Sequence, residues 1–205
     1  MICRTCIISD TSQEEVVDLL SKIEDHLNLV SLWKSNLEQL QIFNELILAT
    51  KNSFKAGGKI IFIGNGGSAA EASHLAAEFV GKCAQNSIPL PALALADSTP
   101  QLTAISNDFG FDQTFLRGLK AHAKPTDIVI LLSTSGESKN VINSLDWLES
   151  QNITSSLWTS SKCNLSLRKS NFTLIAPTDS TPRAQELHLL LGHILAEEIE
   201  KDYLE

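Results

Sequence analysis

Apolar positions along this chain change their period near residue 58. Up to Lys55 they recur at helical spacing, and Leu37, Leu40, Phe43, Leu46 and Leu48 form one broad face over a helix from about Ser31 to Lys55. Ala56-Gly57-Gly58 then stops that helix. An earlier helix runs to about residue 29, with Thr11 or Ser12 as its cap; Ser12 and Glu15 have capping-box spacing. From Lys59 onward short, uninterrupted apolar runs alternate with helical stretches. The runs are Ile60–Ile63, Ala92–Leu95, Ile128–Leu132, Ser156–Trp158 and Phe172–Ile175. Continuous apolar strands separated by helices belong to a parallel sheet covered on both faces. A last long helix spans about Arg183 to Tyr203. The pattern predicts an α/β fold, a three-layer α/β/α sandwich on a five-stranded parallel sheet. Residues 1–57 form a helical hairpin for packing or oligomerisation, attached to the sandwich of residues 58–205.

Composition narrows the function. With 205 residues the chain suits one domain. Its net charge of −8 speaks against a nucleic-acid partner, which calls for a basic patch. It leaves an anionic small molecule open, because local amides and hydroxyls bind phosphate whatever the global charge. No window approaches the ~18–20 apolar residues of a membrane span. Arg4 and Asp10 interrupt any signal-peptide pattern at the N-terminus. Cys3 and Cys6 form a C-x2-C pair with no second pair to complete a metal site, so the four cysteines read as reduced thiols. A soluble, cytoplasmic protein is expected.

Ligands of such sheets sit outside the carboxyl ends of the strands. After the first strand comes Gly64-Asn65-Gly66-Gly67-Ser68, then a helix. Its glycines allow tight turns and expose amides at a helix N-terminus, where an anion is favoured. It is neither a dinucleotide fingerprint nor a P-loop, so no nucleotide is expected. The third strand ends in Ser133-Thr134-Ser135-Gly136-Glu137-Ser138. A helix cap needs one hydroxyl residue; four in six positions can surround a phosphate.

The helix after the first loop carries His74 and Glu78, which i, i+4 spacing puts on one face. Such a pair trades protons, shares a metal, or is simply a surface pair. The last helix carries Arg183, Gln185, Glu186, His188 and His193. Gln185 and His193 lie ~12 Å apart by helical rise, so spacing alone does not bring them to one ion.

The pairing of G-N-G-G-S with S-T-S-G-x-S resembles the sugar isomerase (SIS) domain, over about three quarters of the chain. His-x3-Glu and R-x-Q-E-x-H-x4-H resemble the phosphoheptose isomerases within it. That resemblance implies an aldose–ketose isomerase. It would convert sedoheptulose 7-phosphate to D-glycero-D-manno-heptose 7-phosphate through an enediol, for ADP-heptose and lipopolysaccharide or capsule synthesis. It implies one zinc per subunit on His74, Glu78, Gln185 and His193, with Glu78 and His193 also the catalytic acid–base pair. Asn65, Gly66, Gly67, Ser68, Glu78, Asn107, Asp108, Ser133, Thr134, Ser135, Ser138 and Gln185 would hold the substrate. A homotetramer with active sites at subunit interfaces is implied as well.

Pro182 beside Arg183, and Glu137 and Lys139 around the serine loop, depart from the family pattern. Three other readings stand beside this one: a non-catalytic SIS protein that binds a replication-initiation protein, a sugar-phosphate sensor domain, and an isomerase of another sugar phosphate. The first lacks the counterparts of Glu78 and His193, and the second needs a further module.

Overall fold

The computed structural model describes residues 12–164 and 169–204, so Cys3 and Cys6 lie outside the described residues. Two helices open the fold, α1 (Ser12–Ser35) and α2 (Leu37–Lys55). The sequence pattern placed their junction near Ser31; it lies at Asn36 instead. There the Asn36 side chain accepts the Gln39 amide at 3.1 Å, an N-cap that starts α2. The strands are β1 (Ile60–Gly64), β2 (Ala92–Ala94), β3 (Ile128–Leu132), β4 (Thr154–Ser160) and β5 (Phe172–Ala176). Between them run α3 (Gly67–Val80), α4 (Thr99–Phe109), α5 (Thr114–His122) and α6 (Lys139–Ser150). Helix α7 (Thr181–Glu200) closes the order. It begins two residues before the expected Arg183, because Pro182 fits the first turn of a helix, where its missing N–H costs nothing.

All five strands are parallel, in the order β2-β1-β3-β4-β5. This is the expected three-layer sandwich. Alternate residues of each strand feed two separate cores. Ile60, Phe62, Ile130, Leu132 and Trp158 pack with Phe43, Leu75, Phe79, Leu191 and Leu195 from α2, α3 and α7. Ile61, Ile63, Val129, Leu131 and Leu157 pack on the other face with Phe115, Leu119, Val141 and Leu145 from α5 and α6. Each such side chain contributes ~1.5–3 kcal/mol on full burial. That explains why β1 and β3 carry no polar alternation.

Three polar devices fix the layers. Asp127, at the start of β3, accepts from the Lys59 backbone N–H at 3.0 Å and from its Nζ at 2.6 Å, tying β3 to β1. On the edge strand β5, Gln39 accepts the Ile175 amide at 2.8 Å and donates to the Thr173 carbonyl at 3.4 Å. This satisfies groups an open edge would expose. Buried Glu200 accepts the backbone amides of Cys83, Ala84 and Gln85 at 2.6, 3.0 and 3.1 Å. Burial works to raise its pKa, but those three donors bring it below the usual carboxylate value. The segment after α3 is thereby clamped to the end of α7.

Under β4 lies His188, 1 % exposed, its Nε2 donating to the Thr159 carbonyl at 3.0 Å and its ring against Trp158. Burial pushes its pKa down to about 4, so the folded chain holds it neutral. An unfolded chain takes up that proton near the ordinary 6.5. The contribution is therefore complete above pH 6.5 and is lost as pH falls toward 4. Its size is about 3 kcal/mol for a depression of this order. We predict that the urea midpoint declines over this window. In His188→Asn, which keeps an N–H donor but does not titrate, the same stretch of the curve flattens.

Candidate active site

Gly64 and Leu132 are register partners at the ends of β1 and β3, where the strand order reverses. Both loops singled out in the sequence leave the sheet there. Gly66 turns the first loop at φ 57°, a backbone that favours glycine. Asn65 spends its side chain on the helix that follows the second loop: its amide and that of Asn140 bond reciprocally at 2.9 Å in each direction. Asn140 also donates to Thr114 at 3.2 Å. Loop one is thus buckled to the start of α6, and what Asn65 still offers a ligand is backbone.

In the serine loop, the Thr134 carbonyl accepts the Ser160 hydroxyl at 2.6 Å and the Thr159 hydroxyl at 3.3 Å. Ser135 accepts the Glu137 amide at 3.2 Å. Gly136 carries φ 65°. Ser138 stands at the N-cap of α6 without bonding its amides through its side chain. The loop's shape is therefore held largely from outside it, and the Ser138 hydroxyl is left for something else.

Helices α3 and α7 bring the titratable residues together. His74 Nε2 lies 2.8 Å from His193 Nε2 and 3.4 Å from Glu78 Oε1. The three residues place ligand atoms within 4.8 Å of one another. His74 is about half exposed, Glu78 mostly covered. His193, which sequence spacing alone could not pair with anything, arrives because Gly192 lets α7 close onto Leu75. A Cβ there would sit 2.3 Å from Leu75 Cδ2. Gln185 stays at the other end of the row. Its Nε2 donates to Ser68 Oγ at 3.4 Å and lies where a Gly67 side chain would be, 2.5 Å from such a Cβ. Asn107 and Asp108 are not drawn in. They sit exposed on the last turn of α4, bonded to each other at 2.9 Å.

Two further residues border this group. Cys83 approaches Glu78 and the His193 carbonyl. Burial, with the Glu78 charge, pushes its thiol up to about 12, so it stays protonated. Asp97 bonds Ser73, the residue before His74. Neither showed in the sequence, where each looks like an ordinary loop residue after a helix or strand.

Two imidazole nitrogens and a carboxylate oxygen in mutual reach suit a divalent ion such as zinc. On one tetrahedral ion two nitrogens stand ~3.3 Å apart, within a side-chain adjustment of the 2.8 Å between these imidazoles. Chemically, then, the group can hold either a shared proton or a cation.

Comparison with known proteins agrees with this layout. The SIS domain profile matches residues 28–152. The chain is 40% identical to the phosphoheptose isomerase of Thermodesulfovibrio yellowstonii, over 80% of this chain and 81% of that protein. It is 41% identical to that of Aquifex aeolicus, over 76% and 80%. Among solved structures, a phosphoheptose isomerase from Francisella tularensis superposes with a TM-score of 0.84 at 25% identity, covering 91% of this chain and 98% of that one. The Neisseria gonorrhoeae phosphoheptose isomerase gives 0.81 at 30%, covering 92% and 98%.

If the group holds zinc, the ion stabilises the folded chain by about 2.7 kcal/mol when supplied at a hundred times its Kd. Thermal unfolding with and without zinc should show this as a higher Tm, with near-stoichiometric metal in the purified protein. His74→Ala and His193→Ala should each abolish the gain. An unchanged Tm in the parent protein, with no bound metal, retires the cation.

Proposed function

The chain belongs to the SIS domain family and to its phosphoheptose isomerases, and we propose that it converts sedoheptulose 7-phosphate to D-glycero-D-manno-heptose 7-phosphate. One observation carries the chemistry. Glu78, His74 and His193 form a continuous row, 3.4 and then 2.8 Å between partners, along the facing sides of α3 and α7. A carboxylate and an imidazole joined through a second imidazole have what a 1,2-proton shift between adjacent carbons needs.

In this reading the phosphate lies among Ser133, Thr134, Ser135 and Ser138. Ser68 and the amides of Asn65, Gly66 and Gly67 hold other oxygens; the family resemblance alone adds Asn107 and Asp108, exposed on α4 outside this group, as sugar contacts. Glu78 takes the C1 proton of the open-chain ketose, leaving a cis-enediol. The proton is returned at C2, and His193 moves protons between the oxygens, with His74 between the two groups. Proton transfer by positioned groups accounts for ~10²–10⁴-fold of rate. His74, Glu78 and His193, with Gln185 as a fourth donor, would hold zinc, which when bound polarises the carbonyl. No nucleotide enters the reaction.

The active assembly is a homotetramer with its sites at subunit interfaces. Leu19, Ile23 and Leu27 of α1 stand exposed beside Leu190 and His193 of α7, around a cavity of about 610 Å³. Exposed apolar groups next to a catalytic imidazole fit a subunit contact. No helix among the described residues is long and apolar enough to cross a membrane. We place the enzyme in the cytoplasm, supplying heptose phosphate for ADP-heptose and lipopolysaccharide or capsule. A non-catalytic partner of replication initiation is disfavoured, because such a role gives no reason for the Glu78–His74–His193 row.

NMR of the protein with sedoheptulose 7-phosphate should show an aldose phosphate accumulating. Glu78→Gln should fold with the Tm of the metal-free parent and lose turnover by ~10²–10⁴-fold. Near-parental turnover in that variant rules out Glu78 as the base.

A further inference from the structure

Helices α3 and α7 lie side by side and run in the same direction. Gly67 and Ser68 stand opposite Gln185, and His74 and Leu75 stand opposite His193 and Gly192. Glu71 falls midway along this row. It is three residues after Ser68, three before His74 and seven before Glu78, so all four share one helix face. It is 8 % exposed, and both its carboxylate oxygens are buried without a hydrogen-bond partner among the described residues. Burial pushes its pKa up to about 7. A leucine would fill the same place with no desolvation cost. A buried carboxyl that the fold itself does not use calls for an explanation.

We propose that Glu71 is a positioning residue, whose carboxyl orients the Ser68 hydroxyl and, through it, locks the side-chain amide of Gln185. A serine hydroxyl has one proton to give and lone pairs to accept with. Ser68 Oγ already accepts from Gln185 Nε2 at 3.4 Å. When the Glu71 carboxylate draws the Ser68 proton, Ser68 meets the Gln185 amide purely as an acceptor. The NH2 end is then held at Ser68, and the carbonyl oxygen is left for a cation or a substrate hydroxyl. Without Glu71 the hydroxyl rotates freely and either end of the amide can face it. Partners one step behind a metal ligand commonly set its affinity in this way, by ~10–100-fold. The inference rests on the reading of Gln185 as a ligand beside His74, Glu78 and His193.

The experiment is a double-mutant cycle on the full chain, read by cobalt(II) titration of metal-free protein through its visible absorption. Glu71→Leu should weaken cobalt ~10–100-fold and change the band shape. Ser68→Ala should cost a similar factor, and the double variant no more than either alone. Glu71→Gln, which keeps one acceptor for the Ser68 proton, should retain most of the affinity. It takes the place of Glu71→Leu in the cycle if the leucine variant does not fold; then a smaller loss is expected, again absent in the Ser68→Ala background. A parental affinity and spectrum in the Glu71 variant overturns the proposal. So does an equal loss in both backgrounds, or a parent that binds no cobalt. Sedoheptulose 7-phosphate turnover is measured on the parent in parallel. A cycle that couples in a protein without turnover keeps Glu71 in its role and ends the isomerase reading. Turnover with a cobalt-neutral Glu71 variant does the reverse.

Discussion

Gly192 has no side chain, and Leu75 occupies the space one would fill. An added Cβ would lie 2.3 and 2.6 Å from the two Leu75 methyl carbons. That missing atom lets α7 settle against α3 closely enough for His74 and His193 to stand 2.8 Å apart. Leu75 is fully buried, so it has nowhere to retreat. A larger residue at 192 would lift α7 and part the two imidazoles before it damaged the sheet. The chemistry of the site therefore depends on a packing contact one residue removed from it. The Glu200 clamp on Cys83, Ala84 and Gln85 works to the same end, holding the far end of α3 to the far end of α7.

The sheet supplies the other half of the site by topology alone. In the order β2-β1-β3-β4-β5 the chain leaves β1 toward one edge and β3 toward the other, so the loops after them diverge and leave a crevice. Both loops present hydroxyls and helix-start amides to it. A dianion bound by dipoles of this kind needs no cationic cluster, which reconciles a phosphate ligand with a chain of net charge −8. The Asn65–Asn140 pair sets the spacing between the two loops. Its two bonds exchange donor and acceptor symmetrically, leaving neither amide with a preference for slipping.

Much of the fold was legible in the sequence because a doubly covered parallel sheet leaves an unmistakable trace: Ile60–Ile63 and Ile128–Leu132 have no polar face to disguise them. The α1–α2 junction was not, since Asn36 interrupts a helical pattern that reads through it on apolar spacing. Of the site, His74 and Glu78 were visible as a helical pair, and the two loops by composition. His193 was visible only through family resemblance, because its partner is 119 residues away and nothing local marks it. Glu71 was invisible for a different reason. On a sequence, an acidic residue in an amphipathic helix reads as solvent-facing, and only coordinates reveal that this one faces inward.

The roles asked of Glu78 pull in opposite directions. A carboxylate held by a cation is a poorer base than a free one. The geometry eases the conflict, since Glu78 reaches the pair through His74 at 3.4 Å, while the tightest contact, 2.8 Å, is between the two imidazoles. Cys83 contributes by remaining a neutral thiol beside Glu78. A thiolate there would compete for any cation and add a second negative charge next to Glu78. The imidazole pair is thus the part of the group best placed to exchange a shared proton for an ion. The carboxylate stands at the edge of that exchange, near enough to join either form.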